Sequence, residues 1–193
     1  MALPPTPSQT VGPFFHFALL TEDRSKLAAP DHPSAIRLEG TVYDGAGEVV
    51  PDAMLEIWQA DGAGHYVHPR GDGEGPAPKD GFSGFGRCGT DDEGRYEFLT
   101  IKPGPVPGPD GPARALQAPH IWVSVFARGL LKRAATRVYF PDEEEANAAD
   151  PVLASIEDPG LRSTLVARPV VGDGALRFDI HLQGDLQTAF FDV

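Results

Sequence analysis

The sequence predicts an all-β fold: a two-sheet β-sandwich with long Gly/Pro-rich loops, an extended N-terminal arm and one or two short peripheral helices. Three observations support this fold class. Apolar and polar residues alternate with a period of two in several short segments, as they do in half-buried strands. Turn-forming residues separate these segments. Gly and Pro account for 42 of the 193 residues while 41% of the chain is hydrophobic, which combines many turns with a genuine core.

The predicted elements follow one another within residues 35–193, which we expect to form one sandwich domain behind an arm at residues 1–34. Strands are predicted at 35–43, 54–60, 95–101, 120–128, 136–140 and 176–183. The run at 120–128 is the most strand-like, so we expect it in the middle of a sheet. Residues 61–89 and 103–119 are rich in Gly and Pro and are predicted to be long loops, which in compact domains are usually functional.

Short helices are predicted between the last two strands. Asp150-Pro151 and Asp158-Pro159 each place an N-cap residue before a proline. Proline suits the first helical position because its missing N–H has no partner there in any helix. We therefore expect one or two short helices on the surface of the sandwich.

Charge and hydropathy exclude several classes of function. The chain carries 28 acidic and 16 basic residues, a net charge of −12, and therefore repels nucleic acid and anionic lipid. No run approaches the ~18 apolar residues that a membrane span needs, and the first residues lack the pattern of a secretory signal. The single cysteine, Cys88, forms no internal disulfide and is expected to be buried. We expect a cytoplasmic protein without nucleic-acid or membrane partners.

Histidine and tyrosine side chains are the candidate chemical groups. His65-Tyr66-Val67-His68 gathers three possible ligands for iron or copper within four residues, although loop composition often produces such clusters. His120 begins the most strand-like run, and Trp122 follows it on the same face. An imidazole beside an indole is more often a packed pair in a core than a set of metal ligands.

Several motifs, in this order along the chain, resemble those of the intradiol ring-cleaving dioxygenases. They are Thr6-Pro7-Ser8-Gln9-Thr10-Val11-Gly12-Pro13-Phe14-Phe15, Leu55-Glu56-Ile57-Trp58-Gln59-Ala60-Asp61, Phe85-Gly86-Arg87, Thr100-Ile101-Lys102-Pro103-Gly104, Ala118-Pro119-His120-Ile121, Tyr139-Phe140 and Arg177-Phe178-Asp179-Ile180. The resemblance covers nearly the whole chain, and the combination is far more specific than any single motif. It implies a β-sandwich whose catalytic members hold a non-haem Fe(III) between two tyrosines and two histidines, the histidines arranged H-x-H along a strand.

Carried over to this sequence, the resemblance implies a degenerate metal site. Tyr66 and His120 match the first tyrosine and the first histidine, whereas Val106 and Trp122 stand in the places of the other two ligands. Val106 has no donor atom, and the indole N–H of Trp122 offers a metal no lone pair. We therefore expect no metal held by this chain, and we expect Trp122 to fill the vacated volume as part of the core.

The resemblance also implies a role for such a chain. It would be the non-metallated subunit of an alpha-beta hetero-oligomer, in which a homologous, iron-bearing beta subunit cleaves a small aromatic substrate with O2. The arm at residues 1–34 would pack on that partner chain. Thr10, Gly12 and Pro13 of the arm, together with Arg128, match residues that enclose the substrate in the family. A guanidinium on an acidic surface suits an anionic aromatic molecule.

Two alternatives remain open from the sequence. A self-contained metal enzyme would use His65, Tyr66, His68 and His120 as an altered ligand set. A binding module of the transthyretin type would share the β-sandwich and take no part in catalysis. Metal content distinguishes the first alternative, and the effect of Arg128→Ala on turnover of the assembled complex distinguishes the second.

Overall fold

Two β-sheets share one hydrophobic core in the computed structural model, which describes residues 10, 12, 18–66, 81–108, 116–172 and 174–192. The strands in this part of the chain are β1 Ala35–Tyr43, β2 Met54–Trp58, β3 Phe85–Gly89, β4 Arg95–Ile101, β5 Val106–Pro107, β6 Leu116–Gln117, β7 His120–Phe126, β8 Ala134–Tyr139, β9 Arg168–Pro169, β10 Leu176–Arg177 and β11 Ile180–His181. The helices that lie entirely within the described residues are α1 Glu144–Ala149, α2 Pro151–Ala154 and α3 Pro159–Ser163. This architecture confirms the predicted sandwich.

Strand β1 is the centre of the five-stranded sheet. It pairs antiparallel with β4 on one side and parallel with β10 and β11 on the other, and β9 extends the sheet from β10. Leu38 of β1 lies opposite Phe98 of β4 and Leu176 of β10. Leu38 and Phe98 are fully buried, so the inner face of this sheet supplies apolar side chains to the core.

The four-stranded sheet has the order β3-β2-β7-β8, with all neighbours antiparallel. β7 is an inner strand, as its composition predicts. Ile121, Val123 and Val125 point from β7 into the core. Because side chains alternate along a strand, His120 and Trp122 lie on the outer face of the same sheet. The fold therefore places the apolar side chains of β7 in the core and the candidate site residues His120 and Trp122 on the opposite face.

A buried polar contact joins the two sheets. Gln59 follows β2 of one sheet and is completely buried. Its Nε2 donates to the carbonyl oxygen of Ile101 at 2.9 Å, and its Oε1 accepts from Thr100 Oγ1 at 2.6 Å; both residues end β4 of the other sheet. Because a buried amide needs hydrogen-bond partners, Gln59 fixes the end of β2 against the end of β4 in the other sheet.

Strand β3 lies inside the segment 61–89, which the sequence pattern assigned to a loop. The assignment was wrong for residues 85–89 because glycines interrupt the alternation there. Gly86 is needed for close packing: a Cβ at this position would lie 2.4 Å from Leu27 Cδ1 and 3.1 Å from the Arg24 carbonyl oxygen. Leu27 is itself a core residue, so part of the segment preceding β1 packs on the sandwich of its own chain.

The Asp-Pro signals in the sequence predicted two of these three helices. Asp150 caps α2 by accepting hydrogen bonds from Val152 N and Leu153 N, and Asp158 caps α3 through Gly160 N, as predicted. Helix α1 was not predicted because its N-cap, Glu143, makes no capping hydrogen bond through its side chain. No helix in the described part of the chain has the length and apolar character that crossing a bilayer requires.

The closing run 176–183 is a broken strand rather than a continuous one. Phe178 and Asp179 separate β10 from β11. The Phe178 carbonyl oxygen accepts a hydrogen bond from Tyr96, and Asp179 Oδ1 accepts one from the backbone N–H of Thr41 at 3.0 Å. These bonds hold both fragments along β1.

Cys88 lies in β3 and is half-buried against the core. Burial raises the pKa of its thiol to about 12, so the thiolate is scarce at neutral pH. The sequence predicts a buried cysteine, and the structure shows one that packs on the core but is partly exposed.

Replacing Gln59 with Leu should lower the free energy of unfolding by about 2–3 kcal/mol, because Thr100 Oγ1 and the Ile101 carbonyl oxygen lose a buried partner. Urea unfolding followed by tryptophan fluorescence measures the change. Gln187→Leu, at an exposed glutamine, is the control and should change stability by about 0.5 kcal/mol or less. Equal stability of Gln59→Leu and the unmodified chain would contradict the linking role of this amide.

Candidate functional site

The sequence-predicted site residues form two groups at opposite ends of β7. His120 begins the strand, whereas Arg128 lies two residues beyond its last residue, Phe126. Seven residues of β-strand span about 20 Å. The group near His120, which comprises Tyr66, Val106, His120, Trp122 and Arg137, is named the outer-face cluster. The group of Thr10, Gly12, Arg128 and Gly129 is named the rim.

Strand register places the aromatic residues of the outer-face cluster. Trp122 of β7 lies opposite Trp58 of β2 on one side and opposite Arg137 of β8 on the other. Tyr66 is brought in by an isolated bridge to Ala60, and its ring stacks on Trp58 with centroids 6.0 Å apart. The long loop after β2 therefore delivers Tyr66 to the sheet that carries His120.

His120 is buried and neutral. Its Nδ1 lies 2.8 Å from the Ala118 carbonyl oxygen, an acceptor, so Nδ1 carries the proton and Nε2 keeps a lone pair. Burial lowers the pKa of His120 to about 4, and the positive charge of Arg137 acts in the same direction. Across the strands His120 faces Tyr139, with ring centroids 5.6 Å apart.

The other two matched positions offer no ligand. Val106 is buried in β5, opposite Gln117 of β6. Trp122 is half-buried and packs on Phe191 with ring centroids 6.1 Å apart. The expectation that Trp122 joins the core was wrong, because its place in the alternation of β7 puts the indole on the outer face of the sheet.

Arg137 is the member of this cluster that sequence reasoning missed. Its Nη1 donates to Gln117 Oε1 at 2.7 Å and to the Tyr139 hydroxyl at 3.2 Å. Its Cζ lies 5.5 Å from the ring centroid of Trp122 and 5.6 Å from that of Phe191, distances at which a cation is attracted to an aromatic face. The signal that would have found it is the register of β8 against β7, since Trp122 and Arg137 are direct cross-strand partners.

The phenol of Tyr66 in the cluster and that of Tyr139 beside it stay protonated at neutral pH. Burial raises the pKa of Tyr66, and it raises the pKa of Tyr139 to about 12. Arg137 opposes both shifts through its positive charge without cancelling them. The cluster therefore combines a neutral imidazole and a neutral phenol with one guanidinium.

These residues do not fit a ferric ion. Tyr66 and His120 provide two donor atoms, Val106 and Trp122 provide none, and the guanidinium of Arg137 brings positive charge among them. Within the described ranges, no group of three His, Cys, Asp or Glu side chains is placed to hold a metal. His68, which the alternative ligand set requires, lies outside the described residues, and His65 is exposed near Asp61.

Asp150 connects the outer-face cluster to the helices. It is completely buried, accepts a hydrogen bond from Ala118 N at 2.7 Å and one from the Tyr139 hydroxyl at 3.3 Å, and also caps α2. Ala118 in turn accepts the Nδ1 proton of His120. One carboxylate thus fixes the entrance to β7 and the orientation of its first side chain.

At the rim, the structure brings the arm to the far end of β7. Thr10 Oγ1 accepts a hydrogen bond from Gly129 N at 3.1 Å. The side chain of Arg128 is 75% exposed, with Nε 3.3 Å from Asp52 Oδ2. A Cβ at Gly12 would meet nothing within 4 Å, so contacts within the described chain do not require glycine there. Pro13 lies outside the described residues.

Comparison with known proteins gives a consistent result. The family model described as Dioxygenase matches residues 11–184. The chain is 44% identical to the protocatechuate 3,4-dioxygenase alpha chain of Pseudomonas putida, over 98% of this chain and 97% of that one. It is 36% identical to the protocatechuate 3,4-dioxygenase beta chain of Burkholderia cepacia, over 92% of this chain and 75% of that one. The dioxygenase domain of a carbohydrate-binding fusion protein from Streptomyces sp. SirexAA-E superimposes with a TM-score of 0.58 at 26% identity, covering 94% of this chain and 99% of that one.

Acidification should weaken the fold through His120. Its pKa is about 4 in the folded chain against 6.5 as the ordinary value, so the unfolded chain binds the extra proton and stability falls as the pH drops from about 6.5 towards 4. His120→Asn, whose amide can keep the hydrogen bond to Ala118, should lose about 2–3 kcal/mol less between pH 7 and 4.5. Urea unfolding at both pH values measures the difference. The same loss in both chains would contradict the assignment.

Proposed function

This chain belongs to the intradiol dioxygenase family, and from that premise we propose that it is the non-metallated alpha subunit of a protocatechuate 3,4-dioxygenase. Its partner is a homologous beta subunit, and the complex cleaves protocatechuate between its two hydroxyl-bearing carbons. Both atoms of O2 enter the product, 3-carboxy-cis,cis-muconate. The observation that carries this proposal is the similarity, over nearly the whole length of both chains, to an alpha chain of that enzyme.

The iron belongs to the beta subunit in this proposal. The family is iron-dependent, and Fe(III) supplies the chemistry of ring cleavage where it is bound. Support for placing it on the partner comes from the donor count of the outer-face cluster, where two of the four matched positions hold Val106 and Trp122. The same count argues against a self-contained metal enzyme built on Tyr66 and His120.

This chain contributes charge and enclosure to the shared pocket. Arg128 stands at the end of β7 with its side chain largely exposed, so its guanidinium is accessible to a carboxylate bound by the partner. The substrate is anionic and the chain carries a net charge of −12, so a local cation is needed to offset repulsion. Charge-assisted hydrogen bonds from a guanidinium also orient a carboxylate.

The arm is the second contribution. Thr10 ties the arm to the rim through Gly129 N, and Gly12 follows Thr10 by two residues. Since no atom of the described chain crowds Gly12, the proposal gives its small size a purpose in the partner, where backbone must approach the substrate closely. Pro13 restricts the backbone next to it. A cytoplasmic location, expected from the sequence, belongs to the same proposal.

Produced alone, the full chain should be colourless and contain less than about 0.1 iron per chain, because the two donors of the cluster do not hold the ion. Produced together with the homologous chain that carries the H-x-H motif, it should form a coloured complex that consumes O2 when protocatechuate is added. Elemental analysis, visible absorption and oxygen uptake measure these outcomes. One iron per isolated chain together with turnover would favour the self-contained enzyme instead.

Arg128→Ala should reduce kcat/KM of the assembled complex for protocatechuate by about tenfold to a hundredfold, the effect of losing a charge-assisted hydrogen bond. Arg133→Ala is the matched control, because Arg133 is an exposed arginine of the same loop and should leave turnover unchanged. Gel filtration verifies that both variants still assemble. Full activity of Arg128→Ala in an intact complex would favour the binding-module alternative.

A further inference from the structure

Arg137 contacts Trp122, one of the positions that match metal ligands in the family, and Tyr139, a direct neighbour of another. It is the cross-strand partner of Trp122, and its Nη1 contacts the hydroxyl of Tyr139, whose ring faces that of His120. On its other side Trp122 pairs with Trp58, whose ring stacks on that of Tyr66. The guanidinium therefore contacts residues that lie next to both donor groups that this chain retains.

Hydrogen bonding does not explain this position by itself. Nη1 of Arg137 has two partners, but Nε is buried and makes no hydrogen bond within the part of the chain that the structure describes. The remaining contacts are with the faces of Trp122 and Phe191, which attract a cation because of their electron-rich π-systems. The surroundings are thus those of a site that favours positive charge.

We propose that the Arg137 guanidinium takes the place of a metal cation in the outer-face cluster and excludes one from it. This inference rests on the proposed function, in which the chain is the non-metallated subunit. It goes further by naming the residue responsible. Loss of two ligands weakens a metal site, whereas a fixed positive charge beside the remaining two opposes any cation that they would attract.

The test supplies one missing donor and varies the charge of residue 137. Trp122→His places a second imidazole on the outer face, two residues from His120 and opposite Trp58, on which Tyr66 stacks. This substitution is combined with Arg137 unchanged, with Arg137→Lys, which keeps the charge, and with Arg137→Gln, which removes it. Titration with Co²⁺ alone, followed by visible absorption and equilibrium dialysis, gives the affinity of each chain.

The neutral combination Trp122→His/Arg137→Gln should bind Co²⁺ at least about tenfold more tightly than either charged combination. Near-UV circular dichroism verifies that the three chains share one fold. Equal affinities across the three would overturn the proposal, because they would show that charge at residue 137 does not control cation binding.

A second measurement does not depend on a new ligand. Arg137→Ala should lower the unfolding temperature, and millimolar methylguanidinium should restore at least about half of the loss by occupying the vacated position. N-methylurea has nearly the same shape without the charge and should not restore stability. Equal effects of the two compounds, or no effect of methylguanidinium, would overturn the proposal.

Turnover of the assembled complex separates this inference from the proposed function. Arg137→Gln should assemble with the beta subunit and leave ring cleavage at the partner's iron, so activity persists whether or not charge controls cation binding. If the complex is inactive with the unmodified chain, the proposed function fails. If the complex is active but the Co²⁺ affinities are equal, only the role of Arg137 fails.

Discussion

Side chains of β7 alternate between the core and the outer face, and the positions of the outer-face cluster and the rim depend on this strand. Ile121 and Val123 are buried between the sheets, which fixes the register of the strand. A shift by one residue would turn these side chains to the outer face and point His120 and Trp122 into the core. The apolar core thus determines that Trp122 meets Arg137 on one face, and the length of the strand separates this cluster from Arg128.

The two arginines differ in burial, and burial decides what each can do. Arg128 is largely exposed beside Asp52, so an external anion reaches it with little desolvation of protein groups. Arg137 is half-buried against aromatic rings and hydrogen-bonded to Gln117. Its charge acts on neighbouring groups of the same chain, because interactions are stronger where water is excluded. A net charge of −12 gives no indication of this division.

The sequence pattern predicted strands and helix caps correctly where the local periodicity agrees with the packing in the fold. It placed β7 inside a sheet and identified the caps Asp150 and Asp158. It failed at β3, where Gly86 makes room for Leu27 and thereby interrupts the alternation. Family resemblance predicted which positions match metal ligands, but Arg137 was missed, because only the pairing of β7 with β8 brings that residue beside Trp122.

Hydrogen bonds connect the elements that surround the outer-face cluster. Gln117 joins Arg137 of β8 to the Pro107 carbonyl oxygen of β5, and Asp150 joins Tyr139 to the entrance of β7 and to helix α2. Each bond uses a buried or half-buried polar group that would be costly to leave unpaired. These bonds therefore hold Arg137 and Tyr139 in place against β5 and helix α2.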